Sequence, residues 1–455
     1  MNALPRPTRF ALGVCTVVAI LSGCGGSQPS VGTHAVLTPT VSRSGSPAKG
    51  VTLSAVPEWA QLSHDAERNG WNQLETKLGV ANVAELQNGW LLTKGGEFNS
   101  ISESGGNLYA YNSNGYLYAI NESTGVPIWE YHGEIASSLG VSVRGGRVFF
   151  DCQINTTHQG LCAVDAATGK LDWHFTIYRE NGKAVSSSPY NGPTVSGSDV
   201  VFGESVSLGS STTGYLVALD TVSGRINWLA GNCGDTGASD CNGIGSNPAA
   251  IYNGVVYYGT SGTGTTGFTA GVCAHQLSDG YFLWCYQTGD INTAPSVSGS
   301  TVYAEATEAS VETLLALNTT SGTLAWSDPV GGCCTNTGPA IANGTVYALF
   351  QNGANLAAFK GKTGRRLWLV TNSTGYSPPA VANGVVYHAV GEPGASVEAY
   401  DAANGQALWT SSQAGTTTAG PVVVNGVLYV ACSDESSGVD KICQYHLPAD
   451  HARKR

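Results

Sequence analysis

The stretch Leu216-Val217-Ala218-Leu219-Asp220-Thr221-Val222-Ser223-Gly224-Arg225-Ile226-Asn227-Trp228 decides the fold. Four apolar residues stopped by an acid read as a short buried strand. Ser223-Gly224 supplies a turn whose glycine can take φ > 0, and a second strand then runs out to Trp228. The phrase recurs. Leu117-Tyr118-Ala119-Ile120-Asn121 leads through Thr124-Gly125 to Trp129, and Cys162-Ala163-Val164-Asp165 leads through Thr168-Gly169 to Trp173. Further copies end at Trp284, Trp326, Trp368 and Trp409, while Trp90 ends a strand with none before it.

Successive tryptophans are 39, 44, 55, 56, 42, 42 and 41 residues apart. Each interval holds four short strands, as in Gly338-Pro339-Ala340-Ile341, an Asn343-Gly344 turn, Thr345-Val346-Tyr347-Ala348, the apolar phrase, and the strand ending in Trp. A repeat of about 40 residues with four strands is that of a propeller blade. The C-terminus offers three strands without a fourth (Pro421-Val422-Val423, Val427–Val430 and Ile442–Tyr445), and Trp90 marks a fourth without its three. Pairing them predicts an all-β, eight-bladed β-propeller with no open sheet edge.

The pattern resembles the pyrroloquinoline-quinone enzyme repeat, shared by quinoprotein alcohol dehydrogenases and by non-catalytic relatives such as the lipoprotein of the outer-membrane barrel-assembly machine. The resemblance runs from about residue 56 to 447 and implies that the repeated Trp packs between blades. Trp59-Ala60-Gln61 and His64-Asp65, followed by Arg68, Gly70, Trp71 and Asn72, are similar to the lead-in of the dehydrogenases. This segment, residues 56–86, is expected to pack on the propeller, residues 87–447. His64 and Asp65 are read as a structural hydrogen bond. Asn82 with Glu85 three residues on predicts a capping box before a short helix.

Of 455 residues 60 are Gly and one is Met, which excludes a helical bundle; the net charge of −11 without a basic cluster argues against nucleic acid. Arg6 and Arg9 precede the apolar run Phe10–Leu21, and Leu21-Ser22-Gly23-Cys24 resembles a bacterial lipobox. The expectation is a signal peptide over 1–23, lipidation at Cys24, a Ser/Gly/Pro-rich tether over 24–55 and a basic tail over 448–455. With Gly25 after the cysteine, the resemblance implies an exported monomer held to the outer membrane by lipid alone and facing the periplasm. Twelve cysteines less Cys15, in the signal, and Cys24 leave ten, which in an exported chain suggest five disulfides. Cys152/Cys162 and Cys432/Cys443 occupy equivalent strand positions, Cys273/Cys285 flank a hairpin and Cys233/Cys241 bracket a loop.

Cys333-Cys334 is adjacent in sequence and lies between Trp326 and Pro339. Quinoprotein alcohol dehydrogenases carry such a vicinal pair over their cofactor, which implies a funnel built from Ser188, Asn247, Asn292, Thr293, Cys333, Cys334, Tyr376 and Thr418. The family holds its tricarboxylate cofactor with Arg, Lys and calcium. Here the funnel residues are hydroxyls and amides, with Glu134, Asp235, Asp240 and Asp290 as isolated acids and Arg179 and Lys183 as isolated cations. A tricarboxylate without cations would be costly to desolvate. The expectation is a non-catalytic binding or scaffold protein for an envelope protein or glycan, with no catalytic residue, metal or cofactor. The alternative is an alcohol or polyol dehydrogenase of the polyvinyl-alcohol type, using pyrroloquinoline quinone with calcium.

Overall fold

The computed structural model describes residues 39–43, 58–133, 140–180, 183–189, 191–208, 211–231, 247–260, 270–291, 293–308, 310–332, 337–350, 355–371, 375, 377–390, 396–411, 419–434 and 439–448. It is built from four-stranded antiparallel meanders in which the chain runs from a short inner strand outward. One is Ala340–Ala342, Thr345–Phe350, Asn355–Lys360 and Arg366–Thr371; another is Ala250–Tyr252, Val255–Thr260, Gly271–Gln276 and Phe282–Gln287. Strand identity follows from the apolar runs. Turn position follows from Asn-Gly pairs such as Asn343 (φ 50°) and Gly344 (φ 73°), both left-handed as a tight hairpin requires.

Gln87–Thr93 lies antiparallel to Val439–His446, which continues to Val427–Asp434 and Val422–Val424. Gln87–Thr93, the first outer strand of the repeats, thus completes the C-terminal sheet. Two meanders, with inner strands Ser142–Arg144 and Thr194–Ser196, are fused into one ten-stranded sheet. Ser186–Pro189 pairs with Asp199–Leu208 and also meets His158, while Pro39–Arg43 pairs with Leu171–Ile177 on the other side. The 55-residue interval from Trp173 to Trp228 therefore holds an extra paired strand, Ser186–Pro189, ahead of an ordinary meander.

The inner strands are stitched side by side. Ser102 Oγ donates to Val141 O (2.6 Å), Ser142 Oγ to Pro193 O (2.7 Å), Thr194 Oγ1 to Ala249 O (2.7 Å) and Ser296 Oγ to Pro339 O (2.6 Å). Following Cα neighbours, Phe98–Ser104 adjoins Ser142–Arg144, then come Thr194–Ser196, Ala250–Tyr252, Ser296–Ser298, Ala340–Ala342, Ala380–Ala382 and Val422–Val424. The last adjoins Phe98–Ser104 again.

The tryptophans join meanders at their outer strands. The indole N–H of Trp90 donates to Glu122 O, of Trp129 to Ala166 O, of Trp173 to Thr221 O, of Trp228 to Leu277 O, of Trp284 to Thr319 O, of Trp326 to Gly361 O and of Trp368 to Ala402 O. In every case the acceptor lies in the next repeat, near its Thr/Ser-x-Gly or Asn-Gly turn, and the ring covers that turn's glycine. At Gly364 (φ +69°) a Cβ would sit 2.6 Å from Trp326 Cε3. The glycine is needed both for its left-handed backbone and for the space.

Disulfides Cys152–Cys162, Cys273–Cys285 and Cys432–Cys443 join adjacent strands at Cα separations of 5.8, 4.1 and 6.0 Å. Cys24, Cys233, Cys241 and Cys333-Cys334 lie outside the described residues. The capping box does not form. Val83–Glu85 is a single 3₁₀ turn without a side-chain cap, because Asn82 Oδ1 instead accepts from Gly79 N (2.9 Å) and its Nδ2 donates to Lys77 O (2.7 Å). Among the described residues no helix is long and apolar enough to cross a membrane.

Candidate functional site

The inner strands have two ends: a turn end, where each runs into its second strand, and a loop end, where the chain arrives from the previous outer strand. The lead-in crosses the turn end and bonds to each inner strand or its adjoining turn in succession. Trp59 exchanges backbone hydrogen bonds with Glu103, Val143 N donates to Ala60 O, and the Gln61 amide pairs with both N and O of Val195. Next, Ile251 N donates to Ala66 O, Val297 N to Glu67 O, Ile341 N to Asn69 O and Val381 N to Gly70 O. Finally Asn72 Nδ2 donates to Val423 O, and Gly426 N donates to Glu75 Oε2. Short inner strands leave backbone donors at their middles, and a polar, irregular segment can satisfy them one by one.

Arg68 is the buried centre of this crossing, 1% exposed. Its guanidinium donates to Ala249 O (2.7 Å), Leu62 O (2.9 Å), Pro193 O (3.4 Å) and Thr194 Oγ1 (2.6 Å). Burial lowers its pKa, with Asp65 pushing the other way. Ser63, His64 and Arg68 all take left-handed backbone, at φ 55°, 84° and 55°. His64 Nδ1 lies 3.2 Å from Asp65 Oδ2, and its ring meets Trp59 edge-on at 5.1 Å. Asp65 Oδ1 accepts from Glu67 N (3.0 Å), so the carboxylate organises the tight turn. The crossing and the adjoining turns line a cavity of about 550 Å³ that includes Glu58, His64, Asp65, Glu67, Arg144 and Tyr252. Burial, then Asp65, pushes the Glu67 carboxyl up.

Of the funnel candidates, Asn292, Cys333, Cys334, Tyr376 and Thr418 lie outside the described residues. Ser188 is half-buried on Ser186–Pro189, in register with Ser205, so it sits within a strand. Asn247 is half-buried just before Pro248. Thr293 is buried, and its Oγ1 accepts from Glu305 N (3.3 Å). Asn191, two residues ahead of Pro193, does the same job for Gly203 N.

Sequence reading missed the buried acids. Glu204 (0% exposed) and Glu305 (2%) sit on second strands, and burial raises both carboxyls well above the ordinary range. The Ser187 hydroxyl offsets this for Glu204 while Asp151 adds to it; Glu312 adds to it for Glu305. The signal was present in Val200-Val201-Phe202-Gly203-Glu204 and Val302-Tyr303-Ala304-Glu305, where an acid interrupts an apolar strand. Both carboxylate oxygens of Glu305, with Thr337 Oγ1 and Ser377 Oγ, are buried and have no hydrogen-bond partner among the described residues. Also among the described residues, no group of three or more His, Cys, Asp or Glu is disposed to hold a metal ion.

Known proteins share this architecture. The polyvinylalcohol dehydrogenase of a Pseudomonas species is 27% identical over 258 residues, 50% of this chain and 39% of that protein. The quinohemoprotein alcohol dehydrogenase of Comamonas testosteroni is 25% identical over 235 residues, 47% of this chain and 31% of that protein. The chain thus spans less than half the length of these two curated relatives. The solved structure of the Comamonas enzyme superposes with a TM-score of 0.66 at 18% identity, covering 86% of this chain and 82% of that one. BamB from Moraxella catarrhalis superposes at 0.55 and 19% identity, covering 80% and 98%. Identities this low speak to a shared β-propeller fold alone. The family profile described as outer membrane protein assembly factor BamB matches residues 62–263 and 212–391, and the chain belongs to that pyrroloquinoline-quinone-like repeat family.

Proposed function

We propose that the chain is a lipid-anchored, eight-bladed propeller of the cell envelope that binds a protein or glycan without performing chemistry. The return of the inner-strand neighbours to Phe98–Ser104 and the pairing of Gln87–Thr93 with Val439–His446 support a closed ring of eight blades. The lipobox-like Leu21-Ser22-Gly23-Cys24 supports an anchor facing the periplasm, with the chain acting as a monomer.

One observation carries the non-catalytic reading. Among the described residues, the positions three ahead of five inner strands hold Asn191, Asn247, Thr293, Thr337 and Ser377, with buried Glu204 and Glu305 on second strands; Lys94, Arg179 and Lys183 lie farther back along the chain. A quinone bearing three carboxylates would meet hydroxyls, amides and two acids there. The one buried cation of the crossing, Arg68, is at the other end with its N–H groups on carbonyl and hydroxyl oxygens. Among the described residues, this lining does not fit the quinone. The second reading, a quinoprotein alcohol or polyol dehydrogenase, draws on the names of the curated relatives and on Cys333-Cys334.

The test is a titration of the full chain with pyrroloquinoline quinone and calcium, followed by absorbance and melting temperature. No saturable binding is expected; binding with a raised melting point would replace this reading by the dehydrogenase. Separately, Cys24→Ala is expected to move the protein from the membrane pellet to the soluble envelope fraction. Continued sedimentation with membranes would remove the anchor.

A further inference from the structure

Among the described residues, the outer strands of the other meanders end their sheets, while Leu171–Ile177 does not. Its outer edge carries an added strand, Pro39–Arg43, antiparallel and in the register Pro39↔Ile177, Val41↔Phe175 and Arg43↔Trp173. This strand comes from ahead of the lead-in, not from a neighbouring repeat. Leu171–Ile177 also differs in burial. It holds no exposed residue, whereas every other outer strand does, as in the alternation along Pro127–His132 or Leu324–Pro329.

The extra chain of this repeat explains the difference. Val185 N donates to Tyr178 O (3.2 Å) and Ser187 Oγ lies 2.7 Å from Thr176 Oγ1, so the chain after the strand folds back over it. Phe149, Leu161, Trp173, Phe175 and Ile177 pack with Val185 in one apolar cluster. Backbone at this edge is thus shielded from water, where an unpaired N–H or C=O is costly and a ladder hydrogen bond is worth more. Pro39–Arg43 meets that need with main-chain groups. Its sequence supplies no apolar run, and its proline stands first, where a strand tolerates it. A ladder made by backbone is open to any extended segment that reaches the edge.

We propose that the outer edge of Leu171–Ile177 is a strand-addition surface, held in the free protein by Pro39–Arg43 and taken over by an extended segment of a partner protein, β-branched like Thr40-Val41. The resident strand belongs to the same chain and competes at high effective concentration, so it guards the edge against indiscriminate pairing. Nothing in this exchange depends on the reading of the funnel; quinone binding would leave the edge as it is.

The test is hydrogen exchange of the full chain beside a variant combining Thr40→Pro and Val41→Pro. The two prolines remove adjacent N–H groups, one of which faces the edge in either orientation of the strand. The alternate amides of Leu171–Ile177 that point away from Leu161–Val164 should exchange about ten-fold faster in the variant. Amides of the distant strand Val385–Val390 should not change, which shows that the fold is intact. A synthetic peptide with the sequence of residues 37–45 should restore the protection in the variant, and should bind the wild type about a hundred-fold more weakly, because the resident strand is in place. The same peptide carrying both prolines should do neither. The proposal is overturned by unchanged exchange in the variant, by a peptide that restores nothing, or by equal affinity for the two proteins. Restoration by the proline-bearing peptide would also overturn it, since the binding would then not be strand addition.

Discussion

The indole N–H of Trp326 donates to Gly361 O at 2.6 Å, while the same ring lies over Gly364, leaving no room for a side chain there. One side chain thus reads the turn of the following repeat twice, by a hydrogen bond and by its shape. Gly364→Ala should force a left-handed alanine against the ring and cost about 1–3 kcal/mol. Gly344→Ala shares the positive φ but meets nothing within 4 Å, and should cost less. Denaturant melts of the two variants side by side check this; equal losses would mean that backbone conformation, not the indole contact, dominates.

Arg68 holds four oxygens from three separate parts of the chain. Arg68→Met should leave buried acceptors without donors and destabilise by about 2–4 kcal/mol. Arg68→Lys should recover only part of that, since an ammonium cannot reproduce the planar fork. Chemical denaturation of both variants is the measurement, and wild-type stability in the methionine variant would show that the crossing contributes little.

Glu103 and Glu122 adjoin one another beside the start of the lead-in. Burial is the main cause that raises both carboxyls, Glu103 to about 8, with Glu122 and Glu58 adding to its shift and the Gly106 N–H opposing it. The folded state therefore keeps protons that the unfolded chain releases near 4.5. The sign is that of a group binding more protons when folded, so its contribution falls as pH climbs from about 4.5 toward 8. Melting temperature should decline across that window and decline less in Glu103→Gln. Parallel profiles for the two proteins would rule out this pair as the cause.

Cys432–Cys443 bridges the sheet that unites the two chain ends. Opening this short loop by Cys432→Ser with Cys443→Ser should cost about 3 kcal/mol. Addition of reductant to that double variant should lower its melting temperature less than it lowers the wild type's. An identical drop would mean the other bridges account for the whole effect.

The sequence by itself determined what repeats locally. Strands, Asn-Gly turns, the Trp at each outer strand and the pairing of Gln87–Thr93 with the C-terminal strands all follow from apolar runs and turn residues recurring at about 40-residue spacing. Three of the strand-to-strand disulfides follow from the same register. What only the tertiary structure decided is non-local. The lead-in joins residues up to 351 positions apart, as in Arg68 to Pro193 and Asn72 to Val423, through backbone carbonyls and amides that no motif marks. Likewise the acids Glu204 and Glu305 are visible as letters, but their burial depends on which neighbouring sheet covers each strand face. A hydrogen bond to backbone carries no sequence signature, and desolvation belongs to the packed environment rather than to the residue.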